Sequence, residues 1–186
     1  MSVAEGFRCW KIEVESRNMW VAVFGAMLGK ADGGEVLELI SRVDRKYGTE
    51  TQVFDAGKIV GIGHLLHGAK SALRAWWSEE SISDSLKIEL ARHIGAEKQI
   101  KEAIKKVGIK KSTKELAFVV LGSAQMNVLN AASNICSNFK RDDSVLKVTP
   151  KKRATIMKTY SITRAELSVA NIEDLIMERI AMMALS

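Results

Sequence analysis

Hydrophobic positions alternate over Phe7 to Val14 and again over Met19 to Phe24, in stretches rich in aromatic and β-branched residues. That period of two predicts two strands, and the polar joint Ser16-Arg17-Asn18 between them predicts a β-hairpin. Asp32-Gly33-Gly34 breaks the pattern, after which Val36, Leu37, Leu39, Ile40 and Val43 recur at helical spacing up to Tyr47-Gly48. Thr49 to Phe54 has the composition of a third strand. From Gly61 to Trp77 the spacing is helical again, through Leu65, Leu66, Ala69, Ala72, Leu73 and Trp76. Ser81 to Ser85 is a cluster of N-cap residues, which predicts a helix running towards Gly95. Ile100, Ala103, Ile104 and Val107 form an apolar stripe stopped by Gly108. Leu116 to Leu121 is continuously apolar, as a strand in the middle of a sheet would be. Ala124 to Phe139 reads as a helix, Lys140 to Arg153 with Pro150 as a loop, and Ile172 to Leu185 as a final helix. The pattern predicts α/β (α+β) architecture in a single domain over residues 1–186. A small mixed or antiparallel sheet is packed by about six to eight helices, with no separate second domain.

Candidate chemistry changes this picture little. Gly57 to His64 (GKIVGIGH) lies between a strand and a helix, where phosphate loops sit. It lacks the Gly-Lys-Ser/Thr ending of a Walker loop, and Leu66 stands where GxGxxG needs its third glycine, so a helix-start turn outweighs a nucleotide site. His64 and His67 are three apart, but the chain has one further histidine, His93, and no acidic partner as in HExxH. No metal, cofactor or catalytic constellation emerges, and the chain reads as a non-enzyme. Cys9 and Cys136 have no CxxC spacing and read as buried free thiols. The opening MSVAEGFRCWKIEVES lacks a signal-peptide pattern, and no apolar run is long enough to span a bilayer. A soluble, cytoplasmic protein is expected.

Composition adds one pointer. The chain has 186 residues, 47% of them hydrophobic, which is enough for a folded core and excludes a disordered chain. Lys and Arg exceed Asp and Glu by 28 to 22, a net charge of +6. Two stretches concentrate the excess. Glu97 to Glu115 holds seven lysines against three glutamates, and Lys140 to Arg164 holds eight basic residues against Asp142 and Asp143. Either can hold phosphates by charge, or simply keep a helix face soluble. The final helix carries Met177, Met182 and Met183. Such methionines serve equally in core packing and in a surface for a partner protein.

The segment FDAGKIVGIGHLLHGAKSALRAW, the following SDSLKIEL, the string EKQIKEAIKKVGIKK and the ending IEDLIMERIAMMAL carry a resemblance. Over about residues 8 to 186, and most strongly from 52 to 122, the chain resembles the kinase-binding subunit of the KEOPS (EKC) tRNA-modification complex. This is the family of PRPK-binding proteins, in its archaeal form. The resemblance implies a non-catalytic accessory subunit that docks on a small atypical kinase acting as an ATPase. Through the kinase it would associate indirectly with the threonylcarbamoyl transferase subunit. It also implies recruitment of tRNA through the single-stranded CCA end, for threonylcarbamoyladenosine formation next to the anticodon. No cofactor and no membrane are implied. For the kinase interface the expected residues are Leu65, Leu66, Trp77, Leu175, Met182 and Met183, since such a contact is apolar at its centre. For tRNA they are Lys58, His64, Lys70, Arg74, Arg92 and Lys98, since a single strand needs cations along its phosphates and an apolar platform under its bases. A stand-alone RNA-binding protein and a nucleotide-binding enzyme are the alternatives.

Overall fold

The computed structural model describes residues 6–78 and 80–185. The first five residues of the opening stretch read for a targeting signal therefore lie outside the described residues. β1 (Cys9–Val14) and β2 (Arg17–Met27) form the expected hairpin, but the turn is one residue earlier than the polar joint suggests. Arg17 already pairs with Val14, and Glu15, at φ 54, takes the left-handed conformation that reverses the chain in two residues. β2 also runs three residues beyond Phe24. β3 (Glu50–Asp55) and β4 (Glu115–Gly122) complete the main sheet in the order β1-β2-β4-β3, every pair antiparallel. β5 (Lys140–Arg141) adds a short pairing to the end of β2. β4 lies between β2 and β3, which explains its unbroken apolar run: both of its faces are covered.

Side-chain alternation divides the core in two. Ala22, Phe24, Ala26, Leu116, Phe118 and Val120 face α1 (Gly33–Tyr47) and α5 (Gln125–Cys136). Val21, Val23, Ala117, Val119 and Leu121 face the opposite layer. That layer contains α2 (Ile62–Trp77), α3 (Leu86–Gly95) and α7 (Ile172–Leu185). Val107 of α4 (Ile100–Val107) and Ile156 of α6 (Pro150–Thr159) join the same cluster.

The breaker Asp32-Gly33-Gly34 proves to be a helix start. Asp32 Oδ1 accepts from Glu35 N at 2.9 Å, and Glu35 Oε2 accepts from Asp32 N at 2.8 Å, a reciprocal cap. Lys140 to Arg153 is not simply a loop. It holds β5 and a 3-10 turn over 143–146, and Pro150 opens α6. Proline fits there because the first helical residue needs no amide hydrogen, and Thr149 Oγ1 caps Lys152 N at 3.2 Å.

Candidate functional site

Gly68 sets how closely α2 and α3 pack. A Cβ at that position would stand 2.5 Å from Ile94 Cγ1 and 3.2 Å from Ile94 Cα, so only glycine permits this approach. The ends of the two helices, together with the last turn of α7, enclose a hollow of about 760 Å3. Lys70, Arg74, Arg92 and Lys98 line it, four of the six cations and rings expected to meet tRNA. Ala181, Met183 and Ala184 form its apolar wall, and Ile82 reaches it from the loop between α2 and α3. Lys70, Arg74 and Lys98 are exposed and have no ion pair among the described residues.

A buried carboxylate ties the walls together. Glu89 is fully buried on α3. Its Oε1 accepts from Ile82 N at 3.0 Å and Ser83 N at 2.8 Å, which fixes the loop. Its Oε2 accepts from Arg92 Nη1 at 2.6 Å and stands 3.6 Å from His93 Nε2. Arg92 Nε in turn donates to the carbonyl of Lys98 at 2.8 Å. His93 Nδ1 lies 2.9 Å from Ser71 Oγ on α2. Burial first, and the neighbouring Arg92 second, hold His93 down at about 4, so the ring is neutral at pH 7.

Two expected tRNA contacts lie elsewhere. His64 is buried completely and is a core histidine, not a surface ligand. Its Nδ1 accepts from Val60 N at 3.3 Å, which puts the proton on Nε2, donated to the carbonyl of Ile94 at 2.8 Å. Burial pushes it down to about 4. The Tyr160 hydroxyl joins this cluster, 3.1 Å from the carbonyl of Lys58 and 3.2 Å from that of Ile94. Lys58 stands on the 3-10 turn over 56–58, is half-buried, and does not line the hollow.

The apolar candidates divide as well. Leu65 and Leu175 are buried in the core and have no free surface to offer a partner. Leu66 and Trp77 are half-buried and packed against that core. Met182 is 61% exposed, whereas Met183 is half-buried against the hollow, on the side of the cations.

At the start of α2, the Glu173 carboxylate packs against Gly61 and Gly63. An acidic side chain of the chain itself therefore occupies the turn that a phosphate loop would need. Cys9 and Cys136 are free thiols, half-buried rather than buried, and burial pushes Cys136 up to about 11. No group of three His, Cys, Asp or Glu among the described residues could hold a metal ion. No helix among them is long and apolar enough to cross a membrane.

The family model for kinase binding protein CGI-121 matches residues 31–184, from the cap of α1 to the last turn of α7. The chain belongs to the CGI-121 family. No curated protein matches it. Membership makes the chain a kinase-binding accessory protein, which agrees with the resemblance read from the sequence. Glu89, Ile82 and Ser71 escaped sequence reading. Glu89 carried a signal, because it lies on the inward side of α3, beside Leu86 and Leu90, where an unpartnered charge would be costly.

Proposed function

We propose that this CGI-121 protein is the subunit of a KEOPS-type complex that docks the small atypical kinase and helps recruit tRNA, by its CCA end, for threonylcarbamoyladenosine formation next to the anticodon. It acts as one domain in the cytoplasm, without catalysis of its own, and reaches the threonylcarbamoyl transferase only through the kinase. The observation that carries the tRNA part is the convergence of the exposed Lys70, Arg74 and Lys98 on one hollow with an apolar wall, while Arg92, buried against Glu89, holds the rim from within and is not free to meet a phosphate. A single-stranded end offers both matching features, phosphates for the cations and base faces for the apolar surface. Met182, with Leu66 and Trp77 on the flank of α2, remains for the kinase.

The test is a titration of the protein with full-length tRNA and with the same tRNA lacking its CCA end, at two salt concentrations. Affinity should fall on truncation. Lys70→Glu with Arg74→Glu should flatten the salt dependence by about 0.7 log unit per lost single-strand contact. Equal affinity for the two tRNAs would overturn the tRNA part and leave kinase docking alone.

A further inference from the structure

Four lysines stand on α4 and the turn leading into it, and the fold uses them in two ways. Lys106 is turned inward, its ammonium 4.7 Å from the centroid of the Tyr160 ring. Lys98, Lys101 and Lys105 are exposed, and of these only Lys105 is ion-paired among the described residues, to Glu102 on its own helix at 3.3 Å.

Their placement is fixed from two sides. The bond from Arg92 to the carbonyl of Lys98 anchors the turn before α4, and burial of Ala103 and Val107 sets the helix's rotation. Lys101 and Lys105 are one turn apart on the same outer side, about 6 Å along the axis. Beyond α4, Lys110, Lys111 and Lys114 are exposed on the link to β4. The row thus begins at Lys98, which lines the hollow, and continues on α4 through Lys101 and Lys105, which do not line it.

We propose that this row is a phosphate track for the double-stranded part of an RNA whose single-stranded end occupies the hollow. The inference rests on the reading of the hollow given above. It commits to a duplex because residues 98 to 114 contain no aromatic side chain on which unpaired bases could stack. Point charges without a stacking surface suit a backbone whose bases are already paired and stacked inside.

The experiment compares two ligands, a hairpin RNA with a four-nucleotide 3′ overhang and the overhang as a free oligonucleotide. Each is titrated at two salt concentrations against the native protein, against Lys101→Glu/Lys105→Glu, and against Arg42→Glu/Arg45→Glu, a charge-matched control on exposed positions of α1. The native protein should bind the hairpin at least tenfold more tightly than the oligonucleotide. The α4 variant should lose that gain and lower the hairpin's salt slope by about 2, near 0.9 per duplex phosphate contact, while keeping its affinity for the oligonucleotide. The control should change neither. Retention of the gain in the α4 variant, an equal loss in the control, or no gain from the stem in the native protein would overturn the track alone. Failure of the native protein to bind the oligonucleotide would overturn the reading of the hollow, and the track with it.

Discussion

The sheet has one face that is almost purely apolar and one that is laced with buried polar groups. Against α1 and α5, Phe24 and Phe118 stack with centroids 4.9 Å apart, and small or branched side chains fill the rest. The buried carboxylate of Asp44 sits at the β3 edge, where Thr49 Oγ1, Thr51 Oγ1 and Thr51 N donate to it and Lys87 pairs with it at 2.6 Å. Against α2 and α3, His64, Glu89, Arg92 and His93 are all buried. Burying such groups costs free energy unless each is partnered, and no buried side-chain polar atom among the described residues lacks a partner. A core needs no such network for stability alone, since apolar packing does the same work more cheaply. The network stands where the hollow is, and its bonds run to the loop and turn that form the rim. It therefore shapes a surface, whereas the Phe24–Phe118 layer only holds the sheet to its helices.

The sharpest break of this contrast sets Glu89→Ala beside Phe118→Ala. Removing Glu89 leaves Arg92 buried without its anion, at a cost of about 3–5 kcal/mol. Phe118→Ala leaves a cavity and costs about 3–5 kcal/mol as well. Chemical denaturation should therefore show similar losses. The two should part in RNA binding, measured where both variants remain folded. Glu89→Ala should lose affinity because Ile82 and Lys98 are no longer held, and Phe118→Ala should keep it. Equal affinities would mean that the polar network is only another way of filling a core.

Acid should act on one face and spare the other. His64 titrates at about 4 in the folded chain against 6.5 when unperturbed, so the unfolded state takes the proton first. Its contribution is complete above pH 6.5 and is lost as pH falls from 6.5 towards 4, by at most about 3 kcal/mol. The melting temperature should fall across that window. His64→Gln, which cannot be protonated, should make the profile shallower and leave the part that His93 contributes, since burial holds that ring at about 4 as well, and an unchanged profile would remove His64 from the polar side's acid sensitivity.

Legibility in the sequence follows the same division. The apolar face is readable because its strands and helices keep strict periods: Val36, Leu39, Ile40 and Val43 recur at helical spacing and are buried on α1. The continuous run Leu116 to Leu121 likewise predicted the covered position of β4. The hollow was only half readable. Lys70, Arg74 and Lys98 are cations on helix and turn segments, and charge alone singled them out. Their rim depends on contacts between residues far apart in sequence, such as His93 with Ser71, which no local pattern encodes. His64 misled for a related reason, since a histidine four residues after Val60 looks alike whether its ring faces water or caps a buried amide. Leu65 and Leu175 misled because apolar residues for a partner and for a core have the same composition.

The mildest perturbation belongs on the apolar side, at the start of α1. Asp32 and Glu35 cap each other's backbone amides, so Asp32→Ala removes one bond of the pair and the favourable charge at the helix start. A loss of about 1 kcal/mol is expected from a capping substitution of this kind. Asp32 lies outside the hollow and α4, so RNA binding should not change while the denaturation midpoint drops. The bond that ties α1 to the α3 layer, Asp44 to Lys87, lies at the other end of the helix, so even this small loss sharpens the contrast: the start of α1 can be weakened without breaking a bond of the Glu89 network. A change in RNA affinity from Asp32→Ala would show that the two faces are coupled through the sheet, and the separation between a holding layer and a shaping layer would fall.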